Sequence, residues 1–448
     1  MNLNLHKISL YFLYLLPISL ITGPAIPDIS ISLICIFFLI YTFHYKEYWW
    51  IKENWIKIGI LFWLSLIFIS FFADNKFLSF VDSIIFIRFI LFSIAVYAWL
   101  IQSRKQLKIL LIIIFLTLIF IIMDSLLQFF RYNTASGFGK DIFGFIPEHY
   151  GRLTGPFYKE HVPGSHLSKF FFISILPFVY FFKKNIKTSI TLFIYIIATG
   201  FVIFVSGEKM ALATFLLGYL LFIMIIKEYR KLFILSFCSL IILITIILKT
   251  HPSYNDYEII ETQPHHSGLV LNKKFPCNDN VAIECSKIIK VQSQFFPIIM
   301  NFRESVYYKI YLSAYRMWLD NKITGIGLNN YENLCKKNIE YQTLKKNYSN
   351  CSSHPHNYYL QWLSESGIIG LFLYITFIVM IFSKLLFNIN YTEVKIGLIS
   401  LIIIFWPIMG TGSLLKNWNG VQTFFVIGLS ILLSKKLLSS SKINSSIS

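Results

Sequence analysis

Windows of roughly 18–22 apolar residues recur along this chain, each long enough to cross a bilayer's hydrocarbon core of about 30 Å. Of the 448 residues 56% are apolar and only 14% are charged, where a soluble protein would carry about 25%. The pattern makes the chain integral to a membrane, with helices that need no water-driven core. Hydropathy predicts an all-α polytopic protein of about 12 spans. They fall near 8–24, 27–44, 58–73, 81–101, 107–127, 166–182, 188–205, 208–226, 231–248, 366–386, 394–413 and 419–434. Pro17, Pro24 and Pro27 suit a kinked or re-entrant first pair. A lysine precedes the first apolar run, as in a signal peptide, but no small-x-small site follows it. A retained first helix is the expectation.

The formal charge of +18 invites a nucleic-acid reading, yet the basic residues stand in short clusters between apolar runs: Arg104-Lys105, Lys183-Lys184, Lys227 to Lys231 and Lys435-Lys436. That is topogenic charge, which favours the cytoplasmic side. With the N-terminus inside, these clusters and Lys46, Lys52 and Lys57 all fall on one side, and an even number of spans leaves both termini cytoplasmic. The Trp/Tyr-rich borders, such as Tyr48-Trp49-Trp50, read as interfacial belts.

Two long segments then lie on the opposite side, at about 131–165 and 249–365. The second is long enough to be a folded subdomain. The division expected is therefore spans one to nine within 1–248, the subdomain at 249–365, three spans within 366–436, and a tail at 437–448. Tyr308, Tyr311, Leu312, Tyr315 and Leu319 have helical spacing, and Thr324-Gly325-Ile326-Gly327 breaks that helix. Cys277, Cys285, Cys335 and Cys351 all lie in the subdomain. In an oxidising compartment four cysteines permit three pairings; the local set, Cys277–Cys285 and Cys335–Cys351, is the expectation, and free thiols are the alternative. Cys35 and Cys238 read as packed.

Four polar clusters share the external side. One is Arg152 to Phe157 with Glu160, His161, Ser165 and Lys169; a second is Ser206-Gly207-Glu208-Lys209. A third joins Arg303, Arg316-Met317-Trp318 and the Gly325/Gly327 turn; the fourth holds His354 and His356. Arginine engages phosphate oxygens bidentately and lysine as a point charge, so such a border suits an anionic, diphosphate-bearing lipid. A nearby His or Glu can take a proton from an attacking hydroxyl. Plainer readings exist for each: a border arginine snorkels, His356 holds a loop, and Gly367 and Gly370 permit close helix packing. His354, His356 and Cys351 form an incomplete zinc corner without a fourth ligand at suitable spacing, and there is no Asp-x-Asp pair, so no metal is expected.

Together these segments resemble the O-antigen ligase and O-antigen polymerase superfamily. The match is strongest at His356-Asn357, nine residues, then Gly367-x-x-Gly370. Arg316-Met317-Trp318 followed by Gly325-Ile326-Gly327, Gly151 to Phe157, and Ser206-Gly207-Glu208-Lys209 look like further family segments, with Lys209 where the family usually has arginine. The resemblance runs from about residue 60 to 430, with its O-antigen ligase-like region at about 190–380. It implies a lipid-sugar-using (GT-C-like) glycosyltransferase fold in the bacterial inner membrane, an undecaprenyl-diphosphate-linked donor, a lipid A–core or other glycan acceptor, and periplasmic chemistry without metal, nucleotide or other cofactor. On that reading Arg152, Lys209, Arg316 and Arg303 hold the diphosphate. His356 serves the acceptor hydroxyl, with Glu160 or Glu208 as the alternative base, and Asn357, Gly367 and Gly370 complete the motif. A repeat-unit polymerase has the same chemistry. A lipid-linked glycan transporter or flippase is the competing class, and Arg88, the main charge deep in a span, is the residue that favours it.

Overall fold

The computed structural model describes residues 2–133, 136–149, 151–255, 271–276, 284–289, 302–343, 351–408 and 412–435. Its helices are α1 (Asn2–Ser19), α2 (Ala25–Tyr45), α3 (Asn54–Ser70), α4 (Lys76–Ala95, prolonged by a π turn over Val96–Leu100), α5 (Arg104–Phe130), α6 (Pro163–Ser174), α7 (Leu176–Tyr180), α8 (Ile186–Val205), α9 (Lys209–Ile225), α10 (Arg230–Thr250) and the one-turn α11 (Pro252–Asn255). Then come α12 (Val306–Asp320), α13 (Tyr331–Lys337), α14 (Tyr358–Leu386), α15 (Thr392–Ile404) and α16 (Asn417–Leu433). One antiparallel hairpin, β1 (Leu271–Pro276) and β2 (Glu284–Ile289), lies between α11 and α12, with Leu271 opposite Ile289. Among the described residues everything else regular is helical, as hydrocarbon requires of a spanning chain.

Among the described residues six helices are long and apolar enough to cross a membrane: Ala25–Tyr45, Lys76–Leu100, Arg104–Phe130, Ile186–Val205, Lys227–Thr250 and Tyr358–Leu386. Asn54–Ser70, Lys209–Ile225 and Asn417–Leu433 are shorter apolar helices. Asn75, Asn185 and Ser103 cap α4, α8 and α5 through side-chain oxygens, Ser103 with a full capping box. These polar residues satisfy first-turn amides.

Three boundaries differ from expectation, each for a local reason. The run at 166–182 begins at Pro163 and divides into α6 and α7 near Pro177. The run at 394–413 stops at Ile404, ahead of Pro407, because proline excludes the preceding residues from helix. α14 begins at Tyr358 rather than 366, because Asn357 accepts the amides of Tyr359 and Leu360 and starts it early.

α3 packs between α4 and α14, and α4 also meets α2 and α16; α6 bridges α5, α8, α9 and α15. The polar ends of the helices segregate. Lys384 of α14 pairs with Glu53 before α3 at 2.9 Å, and Lys435 lies over the Tyr97 ring at 4.3 Å. Lys184 pairs with Glu228 in the same manner, and Arg104 donates to the Tyr180 carbonyl. Connections assigned to one side of the membrane thus meet one another. The opposite end carries the long segments and the clusters described next.

Candidate functional site

The first cluster is built where the loop before α6 crosses the turn between α8 and α9. Gln128 of α5 holds that loop: its Oε1 accepts the Thr154 and Gly155 amides at 2.9 Å each, and its Nε2 donates to Thr154 Oγ1 at 3.0 Å. The turn itself needs Gly207, which has φ +75 and would place a Cβ 2.9 Å from Arg152 Cδ. The Arg152 side chain lies across this turn, next to Glu208 and Lys209.

Glu208 accepts the Gly164 amide at 2.6 Å and the Ser165 amide at 3.2 Å, so it caps α6 from another element, where a carboxylate also complements the helix dipole. Burial pushes its carboxyl up to about 7, against the opposing pull of Arg152 and of its donors at Ser165 and Gly164. Burial, and then Arg152, push His161 down to about 4, so His161 is neutral in the physiological range. The folded state gains from a protonated Glu208; that gain is complete below the unperturbed 4.5 and is lost as pH rises through about 7. A bound anion feels one negative charge fewer below that point. Donor affinity is therefore expected to fall several-fold from pH 6 to pH 8 in the native protein. The Glu208→Gln variant should lose the step centred near pH 7; an equal step in both proteins would exclude Glu208 as its source.

Three nitrogens here are unused. Arg152 Nε, Lys209 Nζ and His161 Nε2 are buried and have no hydrogen-bond partner among the described residues, although Arg152 also donates to the His161 carbonyl at 3.3 Å. Leaving Arg152 Nε and Lys209 Nζ desolvated without acceptors is costly. An anionic group bringing several acceptor oxygens would satisfy them.

A buried polar path leads away from this cluster. Lys169, on α6 and within electrostatic reach of Glu208, donates to Asn419 Oδ1 at 2.5 Å and to Gln422 Oε1 at 3.2 Å. Gln422 meets His166 Nδ1 at 3.3 Å, and Asn419 donates to the Tyr358 hydroxyl at 2.8 Å. Tyr358 opens α14 immediately after His356-Asn357. His356 has φ +54, and its ring lies 4.1 Å from that of His354 and 6.1 Å from that of Tyr307 on α12. Asn357 donates to the Pro407 carbonyl at 2.8 Å while capping α14.

The structure thus brings Arg152, Glu208 and Lys209 together and links them through Lys169, Asn419 and Tyr358 to the start of α14. The other candidates stand elsewhere. Arg316 is exposed and donates to the Glu340 carbonyl at 2.7 Å; Arg303 is exposed in the turn Phe302–Glu304. Neither is hydrogen-bonded or ion-paired to Arg152, Glu208 or Lys209 among the described residues. Glu160 is exposed. Gln128, Tyr358, Asn419 and Gln422 were not singled out in the sequence. A polar residue inside an otherwise apolar run is the only local signal they leave.

The two glycine motifs meet directly. At Gly367, φ +62 and ψ −163 interrupt α14, freeing carbonyls that the Gly325–Gly327 turn then uses. Ile326 donates to Ser364 O at 3.0 Å, Gly327 to Glu365 O at 2.9 Å, and Ile368 to Lys322 O at 3.0 Å. Asp74 donates to Ile326 O and Leu328 to Ser79 Oγ, which anchors the subdomain turn on the α3–α4 connection as well. The buried Glu365 carboxylate accepts from Gln361 at 3.1 Å and faces the Asn329 and Tyr331 amides.

A disulfide joins Cys335 of α13 to Cys351, five residues before His356, so Cys351 is committed to sulfur rather than to a metal. The pairing expected for Cys277 lies outside the described residues. Replacing Cys335 and Cys351 together by serine should lower the stability of the subdomain by about 3 kcal/mol, the loop-closure value for a ring of this size. Chemical unfolding of the detergent-solubilised protein measures it, and an unchanged midpoint would show that the bridge restrains nothing. Among the described residues no three His, Cys, Asp or Glu side chains gather as metal ligands.

Comparison with known proteins adds one finding. Residues 193–375 match the model of the family described as O-antigen ligase, which bears out the resemblance over the segment holding α8–α10, the subdomain, His356 and the Gly367 break. Among the curated proteins none matches this chain.

Proposed function

We propose, on the premise of that O-antigen ligase match, that this chain is an inner-membrane glycosyltransferase that moves a polysaccharide from undecaprenyl diphosphate to a hydroxyl of lipid A–core at the periplasmic face. The observation that carries the reading is the pair of unused cationic nitrogens, Arg152 Nε and Lys209 Nζ, buried beside the unused His161 Nε2 at the border of α6 and α9. The reading includes a twelve-span GT-C-like fold with both termini cytoplasmic.

In this mechanism the diphosphate sits between Arg152 and Lys209. The acceptor oxygen attacks the anomeric carbon, the bond from that carbon to the diphosphate oxygen breaks, and the departing electron pair is held by the two cations. Electrostatic stabilisation of that kind is often the largest contribution to catalysis. His356 takes the hydroxyl proton. Arg316 and Arg303, exposed on the subdomain, give outer contacts to the donor rather than the innermost ones. Glu208 acts as helix cap, since its oxygens already accept two amides, and Arg152 favours its ionised form.

A transporter reading loses its main residue: Arg88 is ion-paired with Asp28 at 2.9 Å and donates to Asn417 at 2.6 Å, so its charge is neutralised within α2, α4 and α16. The test is the purified protein supplied with a lipid-diphosphate-linked glycan and lipid A–core. The His356→Ala variant should abolish transfer while folding normally; full transfer by that variant would remove His356 from the mechanism. In a deletion strain, loss of all capped core marks a ligase, whereas core carrying a single repeat unit would make the chain a polymerase.

A further inference from the structure

The segment after α5 presents a surface for which the transfer chemistry has no use. α5 ends at Phe130, yet the chain then returns along it: Gly139 donates to the Gln128 carbonyl at 2.9 Å, and Ile142 donates to Asp124 Oδ1 at 2.7 Å. Asp124 lies about 9 Å back from the helix end at 1.5 Å per residue. The loop therefore descends beside the span instead of leaving it.

Its lowest part is Ile142-Phe143-Gly144-Phe145-Ile146, whose four side chains are 58, 61, 42 and 40% exposed. The backbone beneath them is closed on itself. Asp141 donates to the Phe145 carbonyl at 2.9 Å and accepts the Phe145 amide on Oδ1 at 2.8 Å, and Gly144 donates to the Asp141 carbonyl at 3.2 Å. Gly144 makes the turn possible with φ +90. The amides of Asp141, Ile142, Gly144 and Phe145 are paired within the loop or to α5 and the tip carries only hydrocarbon, which in water would be an unexplained apolar patch. It also stands next to an established lipid-type face, because Leu116, Phe120 and Met123 of α5 are exposed at helical spacing.

We infer that residues 142–146 form an apolar knob seated among the phospholipid acyl chains of the leaflet at which α5 ends. The inference does not depend on the transferase reading. The test uses the full chain in phospholipid nanodiscs, with Phe143 replaced by photoreactive p-benzoylphenylalanine and lipid adducts counted by mass after irradiation. The same replacement at Met123 marks the lipid face, and at Glu332, whose side chain is 39% exposed on the subdomain, marks water. Adduct yield at Phe143 should be comparable to that at Met123 and several-fold above that at Glu332, because acyl chains reach the first two positions and not the third. Yield no higher than at Glu332, or adducts to another protein segment, would overturn the proposal. If the Phe143 variant does not fold, the same replacement at Phe145 is read by the same criteria.

Discussion

Replacing Gly367 with alanine is expected to detach the external subdomain from α14. The backbone there combines φ +62 with ψ −163, a region essentially reserved for glycine, and holding another residue in it costs about 1–3 kcal/mol. Space is the larger obstacle. An added Cβ would lie 2.2 Å from the Ile323 carbonyl oxygen and 2.7 Å from the Gly325 nitrogen, both backbone atoms that no side-chain rotation can move. Relief requires the 322–327 turn to withdraw, which breaks the Ile326, Gly327 and Ile368 hydrogen bonds across the joint, at about 1 kcal/mol each. A loss of about 4–6 kcal/mol is the expected sum. Thermal unfolding should show it as an early transition, and protease should cut the 302–343 region first. A variant with native melting and native protease resistance would mean that the joint carries no stability. Gly325→Ala meets backbone of residues 365–367 at 2.6 Å and should behave alike.

Replacing Arg152 with alanine is expected to lower glycan transfer by about a hundredfold or more, the size of effect seen when a preorganised charge donor is removed. Its Nε is buried and unused in the protein alone, so the fold gains little from that nitrogen while the bound diphosphate gains much. Arg152→Lys should recover only part of the activity, because the charge returns without the planar fork. A second readout separates chemistry from structure. Arg152 favours the ionised form of Glu208, so its removal should move the Glu208 titration above about 7, and the pH profile of any residual activity should follow. Full transfer by Arg152→Ala, or an unmoved profile, would place the diphosphate elsewhere.

The pattern of apolar runs made the helical architecture legible, since a bilayer imposes its length on every span. The same pattern misplaced the start of α14: Tyr358 to Ser366 contains Gln361, Ser364 and Glu365 and reads as loop by hydropathy, but Asn357 caps it as helix and Glu365 is satisfied by a turn some forty residues earlier in the chain. Arg152, Glu208 and Lys209 were legible as a group because they flank apolar runs on one side. Their link to α14 was not, because Lys169 and Asn419 are 250 residues apart and nothing local marks either as the other's partner. Arg316 has the residue type that phosphate recognition needs, but the spacing could not reveal that its helix turns it towards Glu340 and solvent.

The contact between the Gly325 turn and the Gly367 break also acts as a registration mark for chain length. Four backbone hydrogen bonds fix which residue of 322–327 stands opposite which residue of 364–369. One residue added or removed between Lys322 and Gly327 would present the wrong amide to Ser364 and Glu365 and would leave Gly367 facing a side chain. The joint places no such limit on the stretches outside it. Length variation among chains built this way is therefore expected to accumulate beyond the two glycine motifs and to stop at their edges.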